Sequence, residues 1–138
     1  MRMSHCLLLV LVVFIASCVS HPPYVPPADG PTAQLTFSQD YAHVLFYPDG
    51  TCQHPQQLGT ERTIKVAAGK RTFLSVAFSN QAASSHCKAY VSFEPATNQG
   101  YLVEYYEPDG SHCSVSVKKI GPDGSNAGQE PSRQALKC

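Results

Sequence analysis

The chain has 138 residues, with 10 Lys+Arg against 10 Asp+Glu and a pI near 7.0. That length leaves room for one domain with one small core. The positive charge is scattered, densest at Lys118-Lys119, so no basic patch marks a nucleic-acid partner and none is expected.

Residues 1–5, M-R-M-S-H, precede an uncharged apolar run of 11 residues, 6–16. Such a run has the length of a signal-peptide core and falls short of the ~20 apolar residues a membrane-spanning helix needs. It closes on Ile15-Ala16-Ser17-Cys18. This pattern of aliphatic, small, small and cysteine resembles the lipobox of bacterial lipoproteins. The resemblance implies that residues 1–17 are a signal peptide, that the Cys18 thiol receives a diacylglyceryl group, and that cleavage leaves Cys18 as the first residue. Small side chains at 16 and 17 let a peptidase approach an extended backbone, and a thiol forms the thioether readily. The competing reading is an ordinary secretory signal cut after Ser20. One acyl chain, at ~0.8 kcal/mol per buried CH₂, anchors marginally, and two or three anchor stably. In Gram-negative lipoproteins an aspartate after the lipidated cysteine favours the inner membrane. Val19 stands there, which implies the outer membrane, facing the periplasm.

Residues 18–34 read as the lipidated cysteine and a linker, with five prolines between 19 and 34. An extended polyproline-like spacer of that length would lift a domain roughly 40–50 Å from the bilayer.

Residues 35–138 read as a small all-β domain of about seven strands. L-T-F (35–37), H-V-L-F-Y (43–47) and T-I-K-V (63–66) come first. L-S-V-A-F places Leu74, Val76 and Phe78 on one face, and A-Y-V-S-F does the same for Ala89, Val91 and Phe93. Y-L-V-E-Y groups Tyr101, Val103 and Tyr105, and C-S-V-S-V groups Cys113, Val115 and Val117. Alternation with period two marks half-buried strands. P-D-G recurs at 48–50, 108–110 and 122–124. Proline presets φ for a turn, aspartate bonds its own backbone and glycine accepts the left-handed φ that follows. The expected fold is an antiparallel β-sandwich without helix. I-K-V-A-A-G-K (64–70) and G-Y-L-V (100–103) resemble the turn-and-strand theme of small transthyretin-like or immunoglobulin-like sandwiches carried by bacterial lipoproteins, a resemblance of fold only.

Removing the signal and assigning Cys18 to lipid leaves Cys52, Cys87, Cys113 and Cys138. An even count in an exported domain reads as two disulfides with three possible connectivities. The preferred pairing is Cys52–Cys87 with Cys113–Cys138, the second tying the polar C-terminal tail to the strand before it. A metal site is the rival, from His86-Cys87, His112-Cys113 and the nearby Cys52 and His54. Adjacent residues on a strand point to opposite faces, which disfavours it, and no metal or other cofactor is expected. No G-x-S-x-G, H-E-x-x-H or phosphate loop occurs. Glu104, Glu107 and Asp109 stand on or beside a turn where charge is ordinarily solvated. No catalytic residue is expected.

The tyrosines Tyr47, Tyr90, Tyr101, Tyr105 and Tyr106 lie on strands, where packing is their ordinary role. The 43–47 segment carries no formal charge and is expected at or near a sheet edge, offering His43, Leu45 and Tyr47 to a partner strand. The reading is a lipid-anchored, non-enzymatic envelope protein with a binding or structural role and an unidentified envelope protein partner. The alternatives are a lysozyme-type inhibitor lipoprotein, whose S-G-S-G-x-x-Y loop is absent here, and a metal-handling periplasmic lipoprotein.

Overall fold

The structure is a computed structural model that describes residues 20–38, 43–78, 87–108 and 112–135. Ten strands occur among them: β1 (Thr32–Phe37), β2 (His43–Tyr47), β3 (Gln56–Gln57), β4 (Thr63–Ala67), β5 (Thr72–Phe78), β6 (Cys87–Phe93), β7 (Gly100–Tyr106), β8 (Ser114–Ile120), β9 (Asn126–Gln129) and β10 (Gln134–Ala135). They form two five-stranded sheets, β4-β1-β7-β8-β9 and β10-β6-β5-β2-β3. Pairing is antiparallel except between β1 and β7, where Leu35 faces Tyr101 in parallel register. This is a β-sandwich, and no helix occurs among the described residues.

Period-two alternation sets which side chains enter the interior. From the first sheet come Leu35, Phe37, Ile64, Val66, Tyr101, Val103, Val115 and Val117. The second sheet supplies Val44, Phe46, Leu74, Val76, Ala89, Val91 and Phe93. The Phe78 side chain lies outside the described residues. Phe93 and Tyr101 meet across the interior edge to face, with ring centroids 5.2 Å apart, the geometry that aligns a positive ring edge with a negative ring face.

All seven expected strands are present, and three short polar ones add to them. β1 begins at Thr32, three residues earlier than expected, because Ala33 is buried and continues the alternation of Leu35 and Phe37. The P-D-G at 122–124 closes the β8–β9 hairpin, with Gly124 at φ 80° and the Gly121 N–H donating to the Ser125 carbonyl at 2.7 Å. The P-D-G at 48–50 ends β2, with Gly50 at φ 69° and its N–H donating to the Tyr47 carbonyl at 3.3 Å. At the third P-D-G, Asp109 and Gly110 lie outside the described residues. The strands they join, β7 and β8, pair in register from Gly100↔Ile120 to Tyr106↔Ser114.

Each side of the sandwich is bridged by a segment outside the main strands, one before β1 and one after β9. At one side the segment before β1, expected as a spacer, docks on β3 as a parallel bridge from Pro23 to Gln57. The Gln57 N–H donates to the Pro22 carbonyl at 2.8 Å and the Tyr24 N–H to the Gln57 carbonyl at 2.9 Å. The Tyr24 ring then packs edge-on against Phe46, centroids 4.6 Å apart, and its hydroxyl donates to the Lys65 carbonyl on β4 at 2.6 Å. One side chain thus links the edges of both sheets. At the other side the tail leaves β9 in the first sheet and pairs as β10 with β6 in the second. The Arg133 guanidinium donates to the Val115 carbonyl at 2.8 Å, and Arg71 donates to the Ser132 carbonyl at 3.2 Å.

Candidate functional site

Cys87 opens β6 and Cys113 immediately precedes β8, so the two stand on facing sheets at the same end, with Cα atoms 5.9 Å apart and a disulfide between them. This corrects the expected Cys52–Cys87 and Cys113–Cys138 pairs. Cys52 follows β2 at the opposite end of the sandwich, where Tyr47 pairs with Phe73, whereas Cys87 pairs with Phe78. Cys52 is itself disulfide-bonded. Cys18 and Cys138 lie outside the described residues.

β2 is the second strand from its edge, between β5 and β3. Its outward face carries an exposed His43, a half-buried Leu45 and a buried Tyr47, so these three side chains differ in what they offer a partner. Tyr101 and Tyr105 are buried, and Tyr106 is exposed. Burial, reinforced by the Glu107 carboxylate that accepts a hydrogen bond from it at 3.0 Å, pushes the Tyr105 hydroxyl pKa up to about 12. Glu104, half-buried, pairs with Lys118 on the neighbouring strand. Among the described residues no three His, Cys, Asp or Glu side chains converge as metal ligands.

β4 is an edge strand of the first sheet. The Phe37 N–H donates to the Arg62 carbonyl at 2.8 Å and the Ala68 N–H to the Pro31 carbonyl at 2.9 Å. Those bonds fix the phase of the ladder: even-numbered residues of β4 turn their backbone groups to β1, and Thr63, Lys65 and Ala67 turn theirs outward. Tyr24 takes the Lys65 carbonyl. No partner within the described residues takes the Lys65 N–H. A groove of about 340 Å³ runs alongside, lined in part by Pro23, Tyr24, Pro26, Leu58, Ile64 and Lys65. The groove can receive an extended backbone, and the Lys65 charge is the ordinary guard against indiscriminate pairing. A lone lysine amid T-I-K-V was the available sequence signal for an edge.

A buried carboxylate, not anticipated from the sequence, locks the tail. Glu130 is 5% exposed. Its Oε1 accepts the Ser132 N–H at 3.0 Å, and its Oε2 faces the Lys119 ammonium at 3.4 Å. Burial alone would raise its pKa, but the Ser132 hydrogen bonds and the Lys119 charge outweigh it and hold the carboxyl below its ordinary value. A depressed carboxyl pKa adds stability that is complete above the unfolded-state value of about 4.3 and is lost as pH falls through the folded-state value. Thermal melts of wild type and Glu130→Gln are therefore expected to differ most at neutral pH and to converge only as pH falls through the lowered folded-state value. A gap that stays constant with pH would remove the ionised carboxylate from the lock.

No family model, curated protein or solved structure matches this chain.

Proposed function

We propose that this protein is a lipid-anchored cell-envelope protein of non-enzymatic, binding or structural role, held at the periplasmic face of a bacterial outer membrane. The observation that carries the reading is Ile15-Ala16-Ser17-Cys18 at the close of an 11-residue apolar run. A small disulfide-bonded β-sandwich supports it, since disulfides persist in oxidising compartments. Among the described residues no helix is long and apolar enough to cross a membrane. The open backbone of β4 is the element through which an extended segment of an envelope partner would bind, in preference to β2, which β3 covers.

The test is metabolic labelling. Radiolabelled palmitate is expected to enter the wild-type protein and not Cys18→Ser, which should accumulate as precursor or as a soluble form. Equal labelling of both would remove the lipid anchor.

A further inference from the structure

We infer that the anchored sandwich rests on the bilayer by the end that carries the Pro48–Pro55 turn, with no spacer lifting it away; the inference depends on the lipoprotein reading of Cys18. The strap of residues 22–25 belongs to the sandwich. Two backbone hydrogen bonds join Pro22 and Tyr24 to Gln57. The Gln56 side-chain carbonyl accepts the Val25 N–H at 3.2 Å, and the Tyr24 ring and hydroxyl fasten on Phe46 and Lys65. Only four Cα–Cα steps then separate Cys18 from Pro22, a reach of at most about 14 Å. That is a fraction of the spacer suggested by the proline content.

Strand direction decides which end faces the lipid. The strap runs parallel to β3, so the chain upstream of Pro22 heads back toward Pro55 and His54, the residues that precede β3. The same end holds the Tyr47↔Phe73 and Thr72↔Phe93 pairs. The disulfide Cys87–Cys113 and Tyr106 occupy the other end. A seven-residue strand is about 23 Å long, so the distal end stands well beyond the reach of the leash. At the near end Asp49, Gln53, His54, Lys70, Glu94 and Asp123 are exposed, a polar surface whose acidic residues outnumber its exposed lysine. Such a surface suits contact with headgroups without insertion, and it requires no anionic lipid. Val25, 67% exposed, is the large apolar side chain that the strap itself leaves uncovered.

The chain contains no tryptophan, so a single introduced one reports unambiguously. Gln53→Trp and Tyr106→Trp, each in the full-length lipidated protein, would be reconstituted into phosphatidylcholine vesicles carrying a headgroup spin label. Both proteins are expected to float with the vesicles. The residue-53 tryptophan is expected to lose much of its emission, and the residue-106 tryptophan none. Adding Tyr24→Ala to Gln53→Trp, which frees the strap, is expected to relieve the quenching while leaving flotation intact. Flotation with neither tryptophan quenched would overturn the inference and leave the anchor standing. Equal quenching at both positions, or preferential quenching at 106, would overturn the orientation. Quenching indifferent to Tyr24→Ala would overturn the role of the strap. Failure to float would overturn the anchor and the inference together.

Discussion

Alanine in place of Phe93 is expected to lower the unfolding free energy by about 3–5 kcal/mol, the range for emptying a buried aromatic site. Phe93 is 0% exposed and lies where β6 of one sheet meets Tyr101 of the other. The substitution removes the transfer energy of the ring, the edge-to-face contact, and the atoms that keep the two sheets at their packing distance. Tyr101 cannot move into the gap without breaking the hydrogen bond its hydroxyl accepts from the Ala96 N–H at 2.9 Å. Total stabilities of small domains run to about 5–15 kcal/mol, so the variant would sit near the margin of folding. Phe73, one strand over on the outward face and half-buried, provides the comparison, and Phe73→Ala is expected to do much less harm. Urea unfolding of the two variants reads the difference. Equal losses would mean that the interior does not lie between these sheets.

What the sequence made legible is the part of the fold that side chains report. In β7 and β8 every buried residue falls on the face that alternation assigns, because burying one face of a strand enforces period two; in β6 Ala89, Val91 and Phe93 do so, while Ser92 on the other face is buried and bonded by Arg71. β3 (Gln56–Gln57), β9 (Asn126–Gln129) and β10 (Gln134–Ala135) are held by backbone pairing, and their half-buried or exposed side chains carry no such alternation. The docking of the strap is hidden from the sequence for a related reason. Five prolines describe an extended chain and do not reveal what it lies against, and the docking rests on Tyr24 and two backbone bonds. H-V-L-F-Y, uncharged, points to a place at or near an edge, and β2 stands second from one. Position at an edge depends on sheet order, and two glutamines and a bridge at Pro23 suffice to cover β2. The Cys18 reading stands apart from all of this, since it belongs to a processing signal and not to the fold.

Removing the cross-link between the sheets is the second large change. The double variant Cys87→Ser/Cys113→Ser is expected to lose about 3.5 kcal/mol on the chain-entropy account for a separation of 26 residues. The bond joins the start of β6 to the residue before β8, so it holds the two sheets at the end opposite the Pro48–Pro55 turn. There the Tyr105 hydroxyl also approaches the Cys87 carbonyl, at 3.4 Å. The tail, tied by Glu130 and Arg133 near the middle of β8, does not duplicate it. Pairing can be read separately from stability. Non-reducing tryptic digestion is expected to yield residues 72–88 linked to residues 89–118, which carry Cys113. With that pair fixed, a framework of four cysteines leaves Cys52 and Cys138 for one another, and reduction should release Cys138 from the peptide containing Cys52. A linkage between residues 72–88 and the Cys52 peptide would refute the cross-sheet pairing. A double variant melting within about 1 kcal/mol of wild type would show that the bond adds little to a core already closed by the strap and the tail.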